Sequence, residues 1–259
     1  MRVAMLRQVS PRLQFLRHFV RGQLQRPLPV CRSGFCTSAA LRSSGDGPPK
    51  LYELRTYHVK PALFWEFMEI LEEKVHLRMD MSKMVGFWRV DMGGLNQVVH
   101  LWEYDDFAHR TAVARTRSAH TGWMSTLNKL LPTVEHQDNA LLLPLPWSQL
   151  KYPDTPGGWY ELRSYRLTPG AHLQEPFRKT IQARAAFKYA ELLGVWSSEF
   201  GELNRVYMLW HHKDLDQRML GRARAAQDPT IVATSRESAP SLVHQWSKIL
   251  LPSSFSPMQ

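Results

Sequence analysis

Cysteine is almost missing from this sequence: of 259 residues only Cys31 and Cys36 carry a thiol. Everything after them therefore lacks a disulfide framework, a thiolate nucleophile and any cysteine ligand for zinc or an iron–sulfur cluster. Long apolar runs are missing too. The longest, Leu141–Trp147, is short and broken by Pro144 and Pro146, far from the roughly 20 residues a spanning helix needs, so no membrane span is expected. A Gly-rich phosphate loop, a dinucleotide fingerprint, a nucleophile elbow and a His-Glu-x-x-His helix are all absent from the chain, which weakens hydrolase and nucleotide readings. His211-His212 is the one metal-like feature, yet neighbours on a strand point to opposite faces and do not readily share an ion. No cofactor and no metal is expected.

Acid is missing from one region only. The first 45 residues hold eight arginines and no Asp, Glu or Lys, whereas the remainder balances 25 basic against 23 acidic residues. The formal charge of +10 thus belongs to the N-terminal stretch, and the surplus that a phosphate-binding surface needs is not available elsewhere. Nucleic acid is rejected as the main partner. An Arg-rich, Ser-containing, acid-free stretch has the composition of a mitochondrial transit peptide. Leu13, Phe15, Leu16, Phe19 and Val20 can gather on one side of a helix with Arg12, Arg17 and Arg21 on the other. Residues 1–45 are read as transit peptide and linker, cleaved between Arg32 and Lys50. The location is mitochondrial, with the matrix first and a surface or cytosolic pool left open.

What is present is a repeat. Tyr52-Glu53-Leu54-Arg55-Thr56-Tyr57 returns as Tyr160-Glu161-Leu162-Arg163-Ser164-Tyr165, an offset of 108 residues that then runs without a gap. Pro61 meets Pro169, Gly86 and Trp88 meet Gly194 and Trp196, and Gly93, Leu95 and Asn96 meet Gly201, Leu203 and Asn204. Leu101, Trp102, Asp106 and Arg110 meet Leu209, Trp210, Asp214 and Arg218, and Leu142-Leu143-Pro144 meets Leu250-Leu251-Pro252. Duplication is the economical explanation. Residues 51–148 form the first α+β repeat and residues 159–257 the second, joined by a linker from about Ser148 to Gly158.

Each repeat reads β-α-β-β-α-β. Residues 51–59 are rich in β-formers, and Phe64, Phe67, Leu71 and Val75 then follow at helical spacing. A strand near Val85–Met92 turns at Gly93-Gly94 into a third running to Tyr104. Asp106 suits a helix N-cap with Arg110 paired to it one turn on, repeated by Asp214 and Arg218, and a last strand near Ala140–Leu145 closes the unit. This is the ferredoxin-like split βαβ pattern. One such sheet leaves a face bare, and duplication offers its cover: two tandem ferredoxin-like βαββαβ units packed sheet to sheet as an intrachain α+β barrel. Trp88, Trp102, Trp196 and Trp210 read as core and seam packing.

The Tyr-Glu-Leu-Arg-Thr-Tyr strand, His100-Leu101-Trp102, and Leu250-Leu251-Pro252 followed by Phe255-Ser256-Pro257 resemble the signature stretches of the NIPSNAP family. The resemblance covers residues 51–259 and implies a dimeric α+β barrel fold. It further implies a non-enzymatic mitochondrial binding or adaptor protein acting in quality control (mitophagy) or vesicle traffic, with autophagy or mitochondrial proteins as partners. A homo-oligomer is left open. The alternative is a small-ligand-binding or oxygenase-like α+β barrel enzyme, by fold analogy. By alternation Glu53, Arg55 and Tyr57 share a face, as do Glu161, Arg163 and Tyr165. With Leu54 beneath the helices, that face looks into the barrel, either as a ligand cavity joined by His100 or as an ion-pair network fixing the two halves. Met208 replaces His100 in the second repeat.

A reporter carrying residues 1–45 should reach mitochondria and be shortened there, and replacing Arg7, Arg12, Arg17 and Arg21 with Glu should leave it in the cytosol. Import of a full-length, unshortened fusion, seen by gel mobility of the mitochondrial fraction, would refute cleavage.

Overall fold

The computed structural model describes residues 49–259; the transit-peptide reading, residues 1–45, lies outside them. The first repeat runs β1 (Leu51–Val59), α1 (Phe64–Lys74), α2 (His76–Met79), β2 (Lys83–Met92), β3 (Gln97–Tyr104), α3 (Phe107–Ala119), α4 (Thr121–Leu130) and β4 (Val134–Pro144). The second runs β5 (Trp159–Leu167), α5 (Glu175–Ala186), β6 (Glu191–Phe200), β7 (Arg205–His212), α6 (Leu215–Ala225), α7 (Pro229–Ser238) and β8 (Leu242–Pro252). All four strands of the second repeat start and stop 108 residues after those of the first. The single second helix expected in each unit is two. His120 and Asp228 interrupt it with extended backbone, and each starts a new helix by accepting the N–H of Trp123 and Ile231 with its side chain. The last strands also begin six residues earlier than their apolar core suggests, because their first halves are mostly exposed.

Several repeated residues have a local cause. Asp106 and Asp214 cap α3 and α6, accepting the His109 and Gln217 N–H at 2.7 Å. The β2–β3 and β6–β7 hairpins turn through left-handed backbone at Gly93 (φ 87°) and Asn96 (φ 54°), and at Gly201 (φ 103°) and Asn204 (φ 59°), conformations that Gly and Asn adopt at least cost. Gly86 and Gly194 have another role. A Cβ on either would lie 2.2 Å from the ring of Trp88 or Trp196, so each indole folds back over a glycine that must stay bare.

The eight strands close into one barrel in the order β1-β3-β2-β8-β5-β7-β6-β4. Closure is made by the last strand of each repeat. β4 pairs with β1 along its length and, from Leu141 to Pro144, also with β6; β8 does the same with β5 and, from Ile249 to Pro252, with β2. Past these strands the chain continues onto the other repeat. Leu145 N–H donates to Val195 O at 3.0 Å and Ser148 Oγ accepts from Val195 N–H at 2.8 Å, matched by Ser253 to Phe87 and by Ser256 from Phe87, both at 3.0 Å.

At the centre, Leu54, Trp88, Val99, Leu101 and Leu142 meet Leu162, Trp196, Tyr207, Leu209 and Leu250, leaving only ≈ 10 Å³ of free space between them, while one end of the barrel opens into a polar-lined pocket of ≈ 460 Å³ between the repeats, bordered by Thr56, Asn139, Arg205 and Lys248. The central space is about the room of one water, in a purely apolar lining. Outside, α1 and α4 cover the first half of the sheet and α5 and α7 the second, over separate cores centred on Phe67, Trp102 and Trp123 and on Phe177, Ile181 and Trp210. Trp88 and Trp196 thus fill the barrel, while Trp102 and Trp210 lie under the helices.

Expressed alone, residues 46–150 should self-associate or aggregate, because Leu54, Trp88, Leu101 and Leu142 lose the cover of the second repeat. Sedimentation velocity tests this: a folded, monodisperse monomer would contradict the shared interior.

Candidate functional site

Two buried carboxylates organise the polar side of the sheet. Glu161 on β5 is fully buried. It accepts hydrogen bonds from Arg163 Nε (2.7 Å) and Nη2 (3.0 Å), Arg218 Nε (2.8 Å) and Nη2 (2.6 Å), His212 Nε2 (2.9 Å) and Ser247 Oγ (2.5 Å). Glu53 on β1 occupies the matching place and is 2% exposed. Its donors are Arg110 Nε (3.3 Å) and Nη2 (3.2 Å), Asn139 Nδ2 (2.9 Å) and Tyr104 Oη (3.2 Å). Three donor positions are repeated at the offset of 108, Tyr104 and His212, Arg110 and Arg218, Asn139 and Ser247, while Arg55, the counterpart of Arg163, makes no hydrogen bond to Glu53.

Two expectations are corrected here. Arg110 and Arg218 do not pair with the capping Asp106 and Asp214; their side chains reach back to Glu53 and Glu161, because the caps spend their carboxylates on helix N–H groups while the buried carboxylates lack compensation. The Glu-Arg-Tyr face also does not look into the barrel. Leu54 and Leu162 point inward with the interior cluster, so Glu53, Arg55, Tyr57, Glu161, Arg163 and Tyr165 all lie on the helix-facing side, with His100. Alternation sets which residues share a face; which face is enclosed follows from where partners are. A closed apolar barrel could not supply donors to a carboxylate, whereas α3 and α6 bring Arg110 and Arg218 to it.

The electrostatics follow this wiring. Burial alone would raise both carboxyls, but Arg55, Asn139 and Arg110 hold Glu53 below the usual range, and His212, Arg218 and Arg163 hold Glu161 far below it. Burial lowers His212 despite its bond to Glu161. Burial disfavours the Arg163 cation too, yet its hydrogen bonds to Glu161 raise it. His211 and His212 point apart as expected, His211 Nε2 lying 2.6 Å from Gly157 O. Among the described residues no three His, Cys, Asp or Glu side chains gather to hold a metal.

The two repeats differ in how they treat the strand arginine. Arg163 grips Glu161 with two hydrogen bonds, whereas Arg55 Nε stands 3.5 Å from Glu53 with no hydrogen bond and is 22% exposed. Arg55 instead lies with Tyr57 and His100 along a cleft of ≈ 40 Å³ between the sheet and α1, α2 and α4. His100 stacks on Phe87 (5.1 Å between ring centres), meets Tyr57 edge-on (4.8 Å) and accepts the Trp102 Nε1–H at 2.6 Å through Nδ1. Burial and the charges of Arg55 and Arg78 hold its pKa well below the ordinary value, so the ring is neutral with its proton on Nε2. Tyr165 has no such setting and packs edge-on against Phe177 in the second helix layer. Sequence reasoning missed Arg78 and Trp123, which complete this cleft. The available signal was departure from the repeat, since both positions change type in the second copy.

Arg163→Leu should therefore destabilise by about 3 to 5 kcal/mol, a buried carboxylate having lost one of its two bidentate arginines, while Arg55→Leu should cost about 1 kcal/mol or less. Thermal melts at neutral pH distinguish them, equal losses in the two variants contradicting the asymmetry. The pH dependence has a sign. In the wild type the folded carboxyl of Glu161 is depressed, so its stabilisation is complete above the unfolded pKa of about 4.3 and is lost only as pH falls through the lower folded value. Removing Arg163 raises that folded value, so acidification should narrow the gap between variant and wild type.

The NIPSNAP family model matches residues 52–149 and 160–257, one copy on each repeat. Among curated proteins the chain is 37% identical over 246 residues to the human protein NipSnap homolog 3B, covering 89% of this chain and 99% of that one. It is 38% identical over 212 residues to human NipSnap homolog 3A, covering 80% and 85%. Among solved structures an anthrone oxidase-like protein superposes with a TM-score of 0.56 at 11% identity, over 82% of this chain and 95% of that one, a likeness of fold alone. With both repeats matched and both human relatives aligned across most of their length, the chain belongs to the NIPSNAP family.

Proposed function

We propose that this chain is a non-enzymatic mitochondrial binding protein of adaptor type, serving quality control such as mitophagy, or vesicle traffic, through its outer surface. The observation that carries this reading is the filled centre of the barrel, where only ≈ 10 Å³ is free among apolar side chains. Both repeated carboxylates are likewise consumed in internal pairing, leaving neither as a free acid or base. The surface offers a repeated apolar feature. Leu95 and Leu203, at equivalent hairpin tips, are 77% and 59% exposed and belong to none of the core clusters of the described residues, so they are natural points for a protein partner. The small-ligand alternative has one observation in its favour, the first-repeat cleft with its unpartnered N–H groups.

Affinity capture with the tagged full chain, from intact and from depolarised mitochondria, tests the adaptor reading. A reproducible set of proteins should enrich above an unrelated mitochondrial bait and change on depolarisation. Leu95→Ser with Leu203→Ser should reduce that recovery while leaving the melting temperature unchanged. Recovery no greater than the unrelated bait in both states would defeat it.

A further inference from the structure

The two helix-covered faces share one backbone plan but not one chemistry. In the first repeat Arg78, His100 and Trp123 line the cleft of ≈ 40 Å³ with Arg55 and Tyr57, against Phe67, Leu71 and other apolar walls. At the offset of 108 the second repeat has Ala186, Met208 and Ile231, three apolar residues for three N–H donors. Its β-strands are nonetheless the same length and register, so the sheet does not require the donors. Their retention in a buried place is costly unless something accepts from them.

Among the described residues nothing does so fully. Arg55 Nε, His100 Nε2 and Trp123 Nε1 are buried with no hydrogen-bond partner. Arg78, 3% exposed, donates to Ser82 Oγ (2.6 Å) and Tyr104 Oη (3.1 Å) and lies 3.9 Å from the centre of the Trp102 ring, but pairs with no carboxylate. Glu53, the nearest acid to Arg55, is already held by Arg110 and Asn139. The cleft therefore combines two under-compensated guanidiniums, two unused ring N–H groups and apolar walls, in room for a few water-sized groups.

We infer that the first-repeat cleft between the sheet and α1, α2 and α4 binds a small carboxylate with a compact aliphatic body. Its oxygens accept from Arg55, Arg78, His100 and Trp123, and its carbon atoms rest against Phe67 and Leu71. Arginine suits the head group, since a guanidinium offers parallel donors to two carboxylate oxygens. The limited volume selects a body of a few carbons. This site goes beyond the adaptor reading and stands or falls independently of any captured protein.

The probe is isobutyrate, with isobutyramide as its neutral counterpart and inorganic phosphate as a plain anion, followed by ligand-observed NMR and thermal melts of the full chain. Isobutyrate should bind saturably and raise the melting temperature, the amide and phosphate far less. The triple variant Arg78→Ala, His100→Met, Trp123→Ile, which imports the second-repeat residues, should bind at least about tenfold more weakly and still fold. Should it not fold, Arg55→Met, at a partly exposed position, provides the same comparison. No saturable isobutyrate binding, equal binding of the amide or phosphate, or undiminished binding by the folded variant would overturn the assignment.

Discussion

A carboxylate sealed from water stays charged only when donors surround it, and in this chain that requirement is met twice, by four donor residues around Glu161 and by three of their counterparts around Glu53. Glu161 draws its donors from its own strand, from His212 on β7, from Arg218 on α6 and from Ser247 on β8. Glu53 does the same through Tyr104, Arg110 and Asn139. A shift of any of these elements would leave an ion without a partner, at a cost that is a large part of a domain's net stability. The register of first strand, third strand and last strand, and the seat of the helix after the third strand, are therefore set together. Other features of each repeat are arranged around this point.

Placing the ions on the helix side leaves the centre of the opposite face apolar, and two such faces within one chain cover each other. The contact is more intimate than the stacking of two sheets, because β4 and β8 are long enough to pair with two neighbours each and so remove the open edges. Tryptophans folded over Gly86 and Gly194 fill the centre, and the segments beyond Pro144 and Pro252 clasp the opposite repeat through Ser148 and Ser256. The outcome is a packed barrel centre, which leaves room for binding at the barrel's open end, on the surface or on the helix-covered faces.

Duplication left the halves unequal where stability permits. The second copy grips its strand arginine tightly and carries Ala186, Met208 and Ile231 at the corresponding positions; the first loosens Arg55 and keeps Arg78, His100 and Trp123 around a small void. Polar groups that cost stability in one copy and are dispensed with in the other fall outside the shared demands of folding.

Much of the architecture was legible in the sequence. The offset of 108, the β-forming runs, the turn residues Gly93 and Asn96 and the capping Asp106 are signals carried by a few neighbouring residues, and local geometry translates them directly. The duplication itself made a shared interior necessary, since a lone sheet could not leave its apolar face in water. The partners of Arg110 and Arg218 were not legible: an arginine one turn from an aspartate and 57 residues from a glutamate has two candidate acceptors, and only burial of the second decides. Alternation placed Glu53, Arg55 and Tyr57 on one face but was silent about which face the barrel would enclose. Likewise Arg78 and Trp123, on different helices and far apart in sequence, join His100 only once α2 and α4 settle on the same sheet. Sequence by itself determined the elements, their order and the pairing of like with like. Tertiary structure decided inside from outside, because the free energy of a buried charge depends on donors that the chain brings near only when it folds.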